Sequence, residues 1–375
     1  MPEDRPLIVM VQAMSGLRGP AQTLLEFVRY LQPRRDVIVA LPEGALADRL
    51  RGFDAKVLAL PRRSGRTGSW FRGARRLRAE VDRIDRPIVF HANGLSALNL
   101  AVPAARSREA PVLVHCHDYE IVPSTRRALR LWRGMHLQTR FVSVSEFTRG
   151  LLEGTGAVPS VAGVLPNPIV CANFEIDGAE AHDPFRVGFV GGGEPRKGLD
   201  HLVTVADLLR TEPIEYHVFG IDRAATPRGY VGKCVERIQQ LDLSDRFRWH
   251  GWTDDVPAAY ASVDAVLIPS RKESFGRVAI EGMASGLPVI APRISGLSEV
   301  VWDGVSGMLY EPDCLEEAAS LLRRIASDTQ LRARLRSGAL EAVRRFDISV
   351  VGATLLRHHD ALLDVSEPSR VDVES

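Results

Sequence analysis

Short apolar runs alternate with amphipathic stretches along the first half of the chain. The runs Leu7–Val11, 37–40 and 57–60 are apolar throughout, which is typical of parallel strands covered on both faces. Residues 21–31 show the three- and four-residue apolar spacing of a helix. Similar runs at 87–91 and 112–115 continue the pattern. Strands that alternate with helices in this way predict an α/β fold built on parallel sheets.

The same alternation begins again in the second half. Predicted strands are 185–190, 215–220, 246–250, 265–269, 289–291 and 307–310; 315–346 and 349–363 are predicted helical. With 375 residues, the chain can form two domains that each bury a core. We predict an N-terminal domain over 1–176 and a C-terminal domain over 184–346. The polar run 177–184 is the predicted linker.

Charge divides the chain in the same place. Residues 1–168 hold 25 Lys and Arg against 15 Asp and Glu, an excess of +10, whereas the remainder has a charge of −9. The basic excess is densest at 61–86, where nine Arg surround Trp70 and Phe71. Two interpretations remain open for this segment: a solvated helix face, or an element that binds an anionic acceptor or an anionic membrane surface. No nucleic-acid module accompanies it, so nucleic acid is not an expected partner.

The cysteine spacing and the hydropathy of the chain indicate the cellular compartment in which the protein is expected. The four cysteines lie far apart without metal-site or disulfide-framework spacing, which favours a reduced cytoplasmic compartment. The polar N-terminus does not resemble a signal peptide, and no apolar run reaches the length of a membrane-spanning helix. The expected location is therefore cytoplasmic, with peripheral contact at the inner face of a membrane if the basic segment binds lipid.

The richest candidate for chemistry is the stretch 270–299. Glu273 lies in a polar loop after the apolar run 265–269, and Glu281 lies about one turn into the helix that follows. Ligands of open parallel sheets bind at the carboxyl ends of the strands, and a helix N-terminus offers free N–H groups to a phosphate. A carboxylate nearby can accept hydrogen bonds from sugar hydroxyls. The backbone of three residues is expected at the phosphates: Ser274, Phe275 and Gly276.

This stretch resembles a known family. Glu273-Ser-Phe-Gly followed by Glu281-Gly-Met-Ala-Ser-Gly-Leu-Pro is similar to the E-x7-E signature of retaining glycosyltransferases of the GT-B fold, of the group 1 or family 4 type. Gly296-Leu297-Ser298-Glu299 resembles the turn that follows in the family, with Leu297 in place of a second Gly. The resemblance implies two Rossmann-like domains that face each other across a cleft, with a C-terminal helix, 347–366, that crosses back to the first domain.

The resemblance also extends to the loop after the strand Phe185–Val190. Gly191-Gly-Gly-Glu-Pro-Arg-Lys197-Gly is similar to the family's diphosphate loop, in which an Arg and a Lys bind the phosphates. Lys197 matches, but the usual Arg position is Gly192. Either Arg196 or Arg18 of the first domain replaces that charge. The turn at Trp252 resembles the one whose backbone contacts the nucleotide base.

In the first domain the family's pattern is looser. The loop after the first strand contains Gly16 and Arg18, where the family has a Gly-rich loop that faces the donor diphosphate. His117-Asp118 resembles a pair whose His contacts the donor sugar near the reacting carbon. His91 also ends a predicted strand and is a weaker candidate for the cleft. By resemblance, His117 and Glu273 are the candidate catalytic residues.

Together these features predict transfer of a hexose from a nucleoside diphosphate to an acceptor hydroxyl, with retention, in bacterial-type glycan or glycolipid assembly. The acceptor is expected to be lipid-linked or an anionic glycan. No metal and no cofactor are implied, and front-face attack assisted by the leaving phosphate is the preferred mechanism. Two alternatives stay open: a nucleotide-sugar epimerase of the same fold, and a non-catalytic sugar-binding relative. The sequence leaves the base, sugar, acceptor and oligomeric state undetermined.

Overall fold

The computed structural model describes residues 6–17, 19–61, 68–135, 138–158, 160–176, 181–223 and 228–363. Its strands are β1 Leu7–Val11, β2 Asp36–Pro42, β3 Lys56–Leu60, β4 Ile88–Asn93, β5 Val112–Cys116, β6 Thr139–Ser143, β7 Val161–Val164, β8 Phe185–Val190, β9 Ile214–Phe219, β10 Phe247–Gly251, β11 Ala265–Leu267, β12 Val289–Pro292 and β13 Met308–Tyr310. The predicted strands are present, most of them with ends shifted by one or two residues.

The α-helices of the described residues alternate with these strands. They are α1 Gly19–Leu31, α2 Ala45–Arg51, α3 Gly68–Val81, α4 Leu98–Ser107, α5 Pro123–Met135, α6 Glu146–Glu153, α7 Leu199–Leu208, α8 Gly229–Gln240, α9 Val256–Ala261, α10 Arg277–Ala284, α11 Leu297–Val300, α12 Leu315–Ser327, α13 Thr329–Val343 and α14 Ile348–Leu363. The region predicted as one helical stretch, 315–346, is divided at Asp328, whose carboxylate accepts the Leu331 N–H at 2.9 Å as a helix cap.

The described residues form two compact units. The first comprises the residues up to Pro168 together with those from Ile348 onward, and the second spans Ile169–Asp347. The first unit holds a parallel sheet of order β3-β2-β1-β4-β5-β6-β7, and the second a parallel sheet of order β10-β9-β8-β11-β12-β13. The predicted α/β class with two Rossmann-like sheets is confirmed. Part of the predicted linker, 177–180, lies outside the described residues.

The first sheet is covered on both faces. One core cluster joins it to α3, α4 and α5 through residues such as Leu77, Leu98 and Leu129. The other joins it to α1, α2 and α14 through residues such as Phe27 and Leu355. Both faces are therefore apolar, which explains why the strands read as continuous apolar runs.

The C-terminal helix belongs to the first unit, as predicted. A Cβ on Gly352 of α14 would lie 2.6 Å from the Tyr30 ring of α1, so the two helices are in close contact there. Arg35, in the turn between α1 and β2, forms an ion pair at 3.0 Å with Asp360 of α14. The chain thus returns to its first unit after completing the second.

The second sheet has an apolar cluster on the face beneath α7, α8 and α12, with Val187, Tyr216 and Val218 from the strands. On the opposite face, α10 packs tightly on β11 and β12, because a Cβ on Gly282 would lie 3.0 Å from Val289 and 3.2 Å from Val266. This packing fixes the start of α10 at the carboxyl edge of the sheet.

Candidate active site

Three neighbouring strands of the second unit end in glycine turns that lie against one another. Gly191 after β8 donates its N–H to the Phe219 carbonyl at 3.1 Å, and Gly220 after β9 donates to the Gly251 carbonyl at 2.6 Å. A Cβ on Gly220 would lie 2.6 Å from the Gly191 carbonyl oxygen. This edge is therefore lined by backbone, to which a flat or charged ligand can come close. Trp252 follows directly and its side chain is 59% exposed.

The loop that carries Arg196 and Lys197 is held against the loop after β11. A short 3-10 turn, Pro195–Lys197, leads into Gly198, which has a φ of 74°. A Cβ there would lie 1.8 Å from the Pro269 carbonyl oxygen, so only glycine fits. The Arg271 N–H donates to the Arg196 carbonyl at 2.7 Å. These contacts bring the two predicted loops together.

Glu273 lies where the two loops meet, and its side chain is surrounded by donors. Lys197 Nζ and Ser270 Oγ both donate to Glu273 Oε1, the latter at 3.0 Å, while Arg196 Nη1 lies 4.0 Å from Oε2. Glu273 is only 8% exposed. The predicted cation Lys197, the predicted acid Glu273 and Arg196 therefore form one cluster. Ser270 was not predicted, although it directly follows the apolar run.

The usual Arg position, Gly192, contributes no charge. A Cβ at Gly192 would lie 2.3 Å from Glu194 Oε2, a flexible side chain. Of the two residues that could replace the Arg, Arg196 stands beside Glu273 in the same unit. Arg18, the other one, lies outside the described residues.

Helix α10 begins beside this cluster without a side-chain cap. Gly276 precedes it with a φ of 107°, and a Cβ there would lie 2.5 Å from Leu297. The first N–H groups of a helix have no intrahelical acceptor, and the positive dipole end favours an anion. The Phe275 ring packs edge-on against Phe346, with centroids 5.3 Å apart, so the residue offers a ligand its backbone alone. Ser274 is half-buried.

Glu281 is buried one turn into α10 with two partners. Tyr260 Oη donates to Oε2 at 2.8 Å, and Arg277 Nε donates to Oε1 at 2.8 Å. Burial, together with the Glu281 charge, raises the pKa of the Tyr260 hydroxyl. Arg277 was detectable from its four-residue spacing to Glu281, but no local signal pointed to Tyr260, which lies on α9.

His117 follows β5 in the first unit, at the carboxyl edge of that sheet. Its Nε2 lies 2.9 Å from Asn93 Oδ1, and its ring lies 4.1 Å from that of His115. Burial lowers the pKa of His117 well below its usual value. His91, the weaker candidate, is wrong as an edge residue: β4 runs two residues further, to Asn93, and His91 is fully buried. The alternation of Val89, His91 and Asn93 was the signal for this longer strand.

Gly16 lies on an exposed bend after β1. A Cβ on Gly16 or on Gly19 would meet no atom within 4 Å, so packing does not require glycine at either position. Among the described residues, no group of three or more His, Cys, Asp or Glu is arranged to hold a metal ion. Within the same part of the chain, no helix is both long and apolar enough to cross a membrane.

Two family models match most of the chain between them. The model for glycosyl transferases group 1 matches residues 173–341, and the model for glycosyltransferase family 4 matches residues 17–173. A phosphatidyl-myo-inositol mannosyltransferase of Mycolicibacterium smegmatis is 30% identical over 292 residues, which cover 73% of this chain and 71% of that relative. The chain belongs to the group 1 glycosyltransferases.

Other relatives of this group 1 glycosyltransferase match a shorter part. A D-inositol 3-phosphate glycosyltransferase of Salinispora tropica is 33% identical over 199 residues, which cover 49% of this chain and 41% of the relative. The chain thus spans less than half the length of that relative. Among solved structures, Anabaena HepE in complex with UDP and glucose matches with a TM-score of 0.82 and 21% identity, covering 94% of this chain and 99% of that one. The GT-B fold is therefore shown.

In the turn after β12, this group 1 glycosyltransferase has Leu297 where the family has a second glycine, and the packing of the turn explains the difference. A Cβ on Gly296 would lie 2.4 Å from the Ser274 carbonyl oxygen, so this glycine lets the turn approach the Glu273 loop. Leu297, which replaces the second glycine, is fully buried and packs against Gly276. The substitution thus fills the space beneath the start of α10.

Proposed function

We propose that the protein transfers a hexose from a nucleoside diphosphate donor to an acceptor hydroxyl with retention at the anomeric carbon. The observation that supports this proposal is the cluster of Lys197, Arg196 and Glu273 beside the glycine turns and the start of α10. Two cations and a helix N-terminus can bind a diphosphate, and the buried carboxylate can accept hydrogen bonds from sugar hydroxyls. The base would lie toward Gly251 and Trp252.

The chemistry requires charge stabilisation of the leaving diphosphate. Lys197 and Arg196 would supply it, because their cationic groups lie together beside Glu273, near the start of α10. We propose front-face attack, in which the leaving phosphate accepts the proton of the acceptor hydroxyl while the new glycosidic bond forms on the same face. His117 would contact the transferred sugar. This scheme assigns no step to a metal or a cofactor.

The test is incubation with a panel of labelled UDP-, GDP- and ADP-hexoses. Transfer of label to water or to an added acceptor, with the anomeric configuration retained, is the expected result. An isomeric nucleotide sugar would identify an epimerase, and no turnover together with sugar binding would identify a non-catalytic relative. Thermal shift with the free nucleotides would select the base, since a ligand at about 100 times its Kd adds roughly 2.7 kcal/mol.

A first prediction concerns Glu281, which we propose binds the ribose hydroxyls. Its two carboxylate oxygens already accept from Tyr260 and Arg277, and each oxygen has a second lone pair for a hydroxyl. Glu281→Ala is expected to raise the donor KM more than Glu281→Gln, because Gln keeps one acceptor. Tyr260→Phe is the matched control, since it loses one partner of Glu281 but leaves the carboxylate. Wild-type donor affinity in Glu281→Ala would contradict the assignment.

A second prediction concerns the acceptor, which we propose is lipid-linked or otherwise anionic. Exposed cations of α3 and α5 support this proposal, together with the exposed apolar side chains Phe71 and Leu131. Among the described residues these cations are Arg72, Arg75, Arg76, Arg78, Arg126, Arg127 and Arg130. Other candidates of the basic segment, Arg62, Arg63 and Arg66, lie outside the described residues. Each Arg near an anionic lipid surface contributes on the order of 1 kcal/mol.

Sedimentation with anionic and neutral vesicles at several salt concentrations tests this prediction. We expect binding to anionic vesicles that weakens with salt, since charges are screened over about 8 Å at physiological ionic strength. Arg75→Ala/Arg76→Ala is expected to weaken binding more than Arg49→Ala/Arg51→Ala, which removes the same charge from α2, where Arg51 is paired with Glu43. Equal binding to anionic and neutral vesicles would favour a soluble acceptor.

A further inference from the structure

Three neighbouring strands of the first unit place polar side chains at one edge of one sheet face. The residues that face α1 and α14 follow the strand register: Ile8 lies beside Val89, Met10 and Leu113 flank His91, and Asn93 lies beside His115. Gln12 directly follows β1, Asn93 ends β4 and His117 directly follows β5, so these three lie at the carboxyl edge of the sheet. The change from apolar to polar side chains marks the edge where ligands of such sheets bind.

Asn93 connects Gln12 with His117. Its Nδ2 donates to Gln12 Oε1 at 2.8 Å and to the Pro20 carbonyl oxygen at 2.9 Å, and its Oδ1 lies 2.9 Å from His117 Nε2. Asn93 is 2% exposed, so these contacts compete little with water. Its amide group therefore has a defined environment on both sides.

The Pro20 carbonyl fixes which way the Asn93 amide points. A carbonyl oxygen can only accept, so the group that faces it must be the Asn93 NH2. A flipped amide would place Oδ1 against the Pro20 oxygen, and rotation of Gln12 could not remove that repulsion. Asn93 Oδ1 is consequently the atom that faces His117, and His117 Nε2 must carry the hydrogen.

The other ring nitrogen of His117 is left as an acceptor. In a neutral imidazole with hydrogen on Nε2, Nδ1 holds a lone pair. Nδ1 is buried, as is one ring nitrogen in each of His91, His115 and His359. The Asn167 side chain, whose Oδ1 accepts from Thr23 Oγ1 at 2.8 Å, also acts on the His117 ring and raises its pKa, against the larger effect of burial.

We propose that Asn93 is a positioning residue that holds His117 as its Nε2–H tautomer and so fixes the ring at the carboxyl edge of the first sheet. The proposal deepens the proposed function and rests on it for the role of His117. The tautomer itself is independent of any activity. Gln12 takes part indirectly, because it accepts from Asn93 and does not itself contact His117.

Nitrogen-15 NMR of histidine-labelled protein tests the tautomer directly, since protonated and unprotonated ring nitrogens differ widely in chemical shift. Near neutral pH we expect His117 to show a protonated Nε2 and an unprotonated Nδ1, with the signals assigned by their loss in His117→Gln. His115 is an internal reference, because its Nε2 lies 2.7 Å from the Leu165 carbonyl oxygen and must also carry hydrogen. An Nδ1–H tautomer of His117 would overturn the proposal.

Variants then connect the tautomer with function. Asn93→Ala is expected to give a mixture of tautomers and to lower kcat about tenfold, the size of one hydrogen bond, while the Kd of the free nucleoside diphosphate stays unchanged. Asn99→Ala, which removes the acceptor of Trp132 Nε1 at 2.8 Å in the same unit, is the matched control for general loss of stability.

The outcomes separate this proposal from the proposed function. If Asn93→Ala leaves His117 entirely as the Nε2–H tautomer, Asn93 does not position it. If the tautomer changes but kcat falls no more than in Asn99→Ala, the tautomer of His117 has no part in the transfer, and the proposed positioning role fails. If wild-type protein turns over no nucleotide sugar while His117 shows the expected tautomer, the proposed function fails and the positioning contact stands.

Discussion

Lys197→Ala is expected to lower kcat/KM by about 30-fold to 1000-fold, because a charge-assisted hydrogen bond to the donor diphosphate contributes about 2–4 kcal/mol. The reason lies in the position of the ammonium group, which is held at the carboxyl edge of the second sheet by Gly198 and by Glu273. Weaker binding of the nucleoside diphosphate is expected as well, measured by calorimetry. The nucleoside monophosphate should lose less affinity.

Two controls separate binding from folding. Removing Lys197 leaves the buried Glu273 carboxylate with Ser270 and a more distant Arg196, and breaking a buried pair costs about 3–5 kcal/mol of stability. Lys197→Ala/Glu273→Gln removes the unpaired charge and should recover stability without recovering diphosphate affinity. Lys233→Ala, on α8, controls for loss of a lysine elsewhere. If the variant discriminates diphosphate from monophosphate as wild type does, Lys197 does not bind the diphosphate.

The first unit is expected to lose stability steeply as the pH falls below about 6.5, the usual pKa of histidine. Three fully buried imidazoles stack beneath His117: His91 and His115 on the sheet, and His359 on α14, whose Nε2 lies 3.2 Å from His91 Nδ1. Burial lowers the pKa of His115 and of His359 to about 3, and that of His91 well below its usual value. The charges of neighbouring His358 and Arg35 lower the pKa of His359 further, and burial and Arg140 lower the pKa of His358 itself.

The sign follows from proton binding. Above pH 6.5 these histidines are neutral in both states, whereas below it the unfolded chain binds protons that the folded unit does not. Each histidine then removes about 1.4 kcal/mol of unfolding free energy per pH unit, until the folded pKa near 3 is reached for His115 and His359. The three histidines together would remove about 4 kcal/mol of unfolding free energy per pH unit, a large part of a typical domain's stability.

Denaturant unfolding at pH 7.5, 6.5 and 5.5 measures this dependence. His359→Gln and His91→Gln are expected to reduce the slope of unfolding free energy against pH, even where they lower stability at pH 7.5, because glutamine does not titrate. His250→Gln, an exposed position in the second unit, is the comparison and should leave most of the slope intact. If the double variant His359→Gln/His91→Gln has the same slope of unfolding free energy against pH as wild type, these two histidines are not held in the neutral form by burial in the folded protein.

The family and the fold class followed from local sequence. An apolar run at 265–269, a polar loop and a helix ended by Gly286 are consecutive, so their pattern predicted α10 closely and β11 with an end two residues too late. The spacing of Glu273 and Glu281 likewise lies within one stretch. Parallel strands buried on both faces are recognisable because every residue of the run is apolar. Local propensity and spacing were sufficient for these elements.

The partners of the site residues were decided by the tertiary structure. Lys197 and Glu273 are 76 residues apart, and their contact depends on Gly198 fitting against the Pro269 carbonyl. Tyr260 reaches Glu281 from another helix, and nothing in its own neighbourhood of the chain indicated this.

In the first unit, the sequence by itself determined that His117 follows a buried strand. Only the sheet brought Asn93 beside it and Gln12 beside Asn93, and only the packing of α14 on the sheet brought His359 to His91. Secondary structure depends on residues close in sequence, whereas a hydrogen bond across a sheet or between loops depends on how distant segments pack.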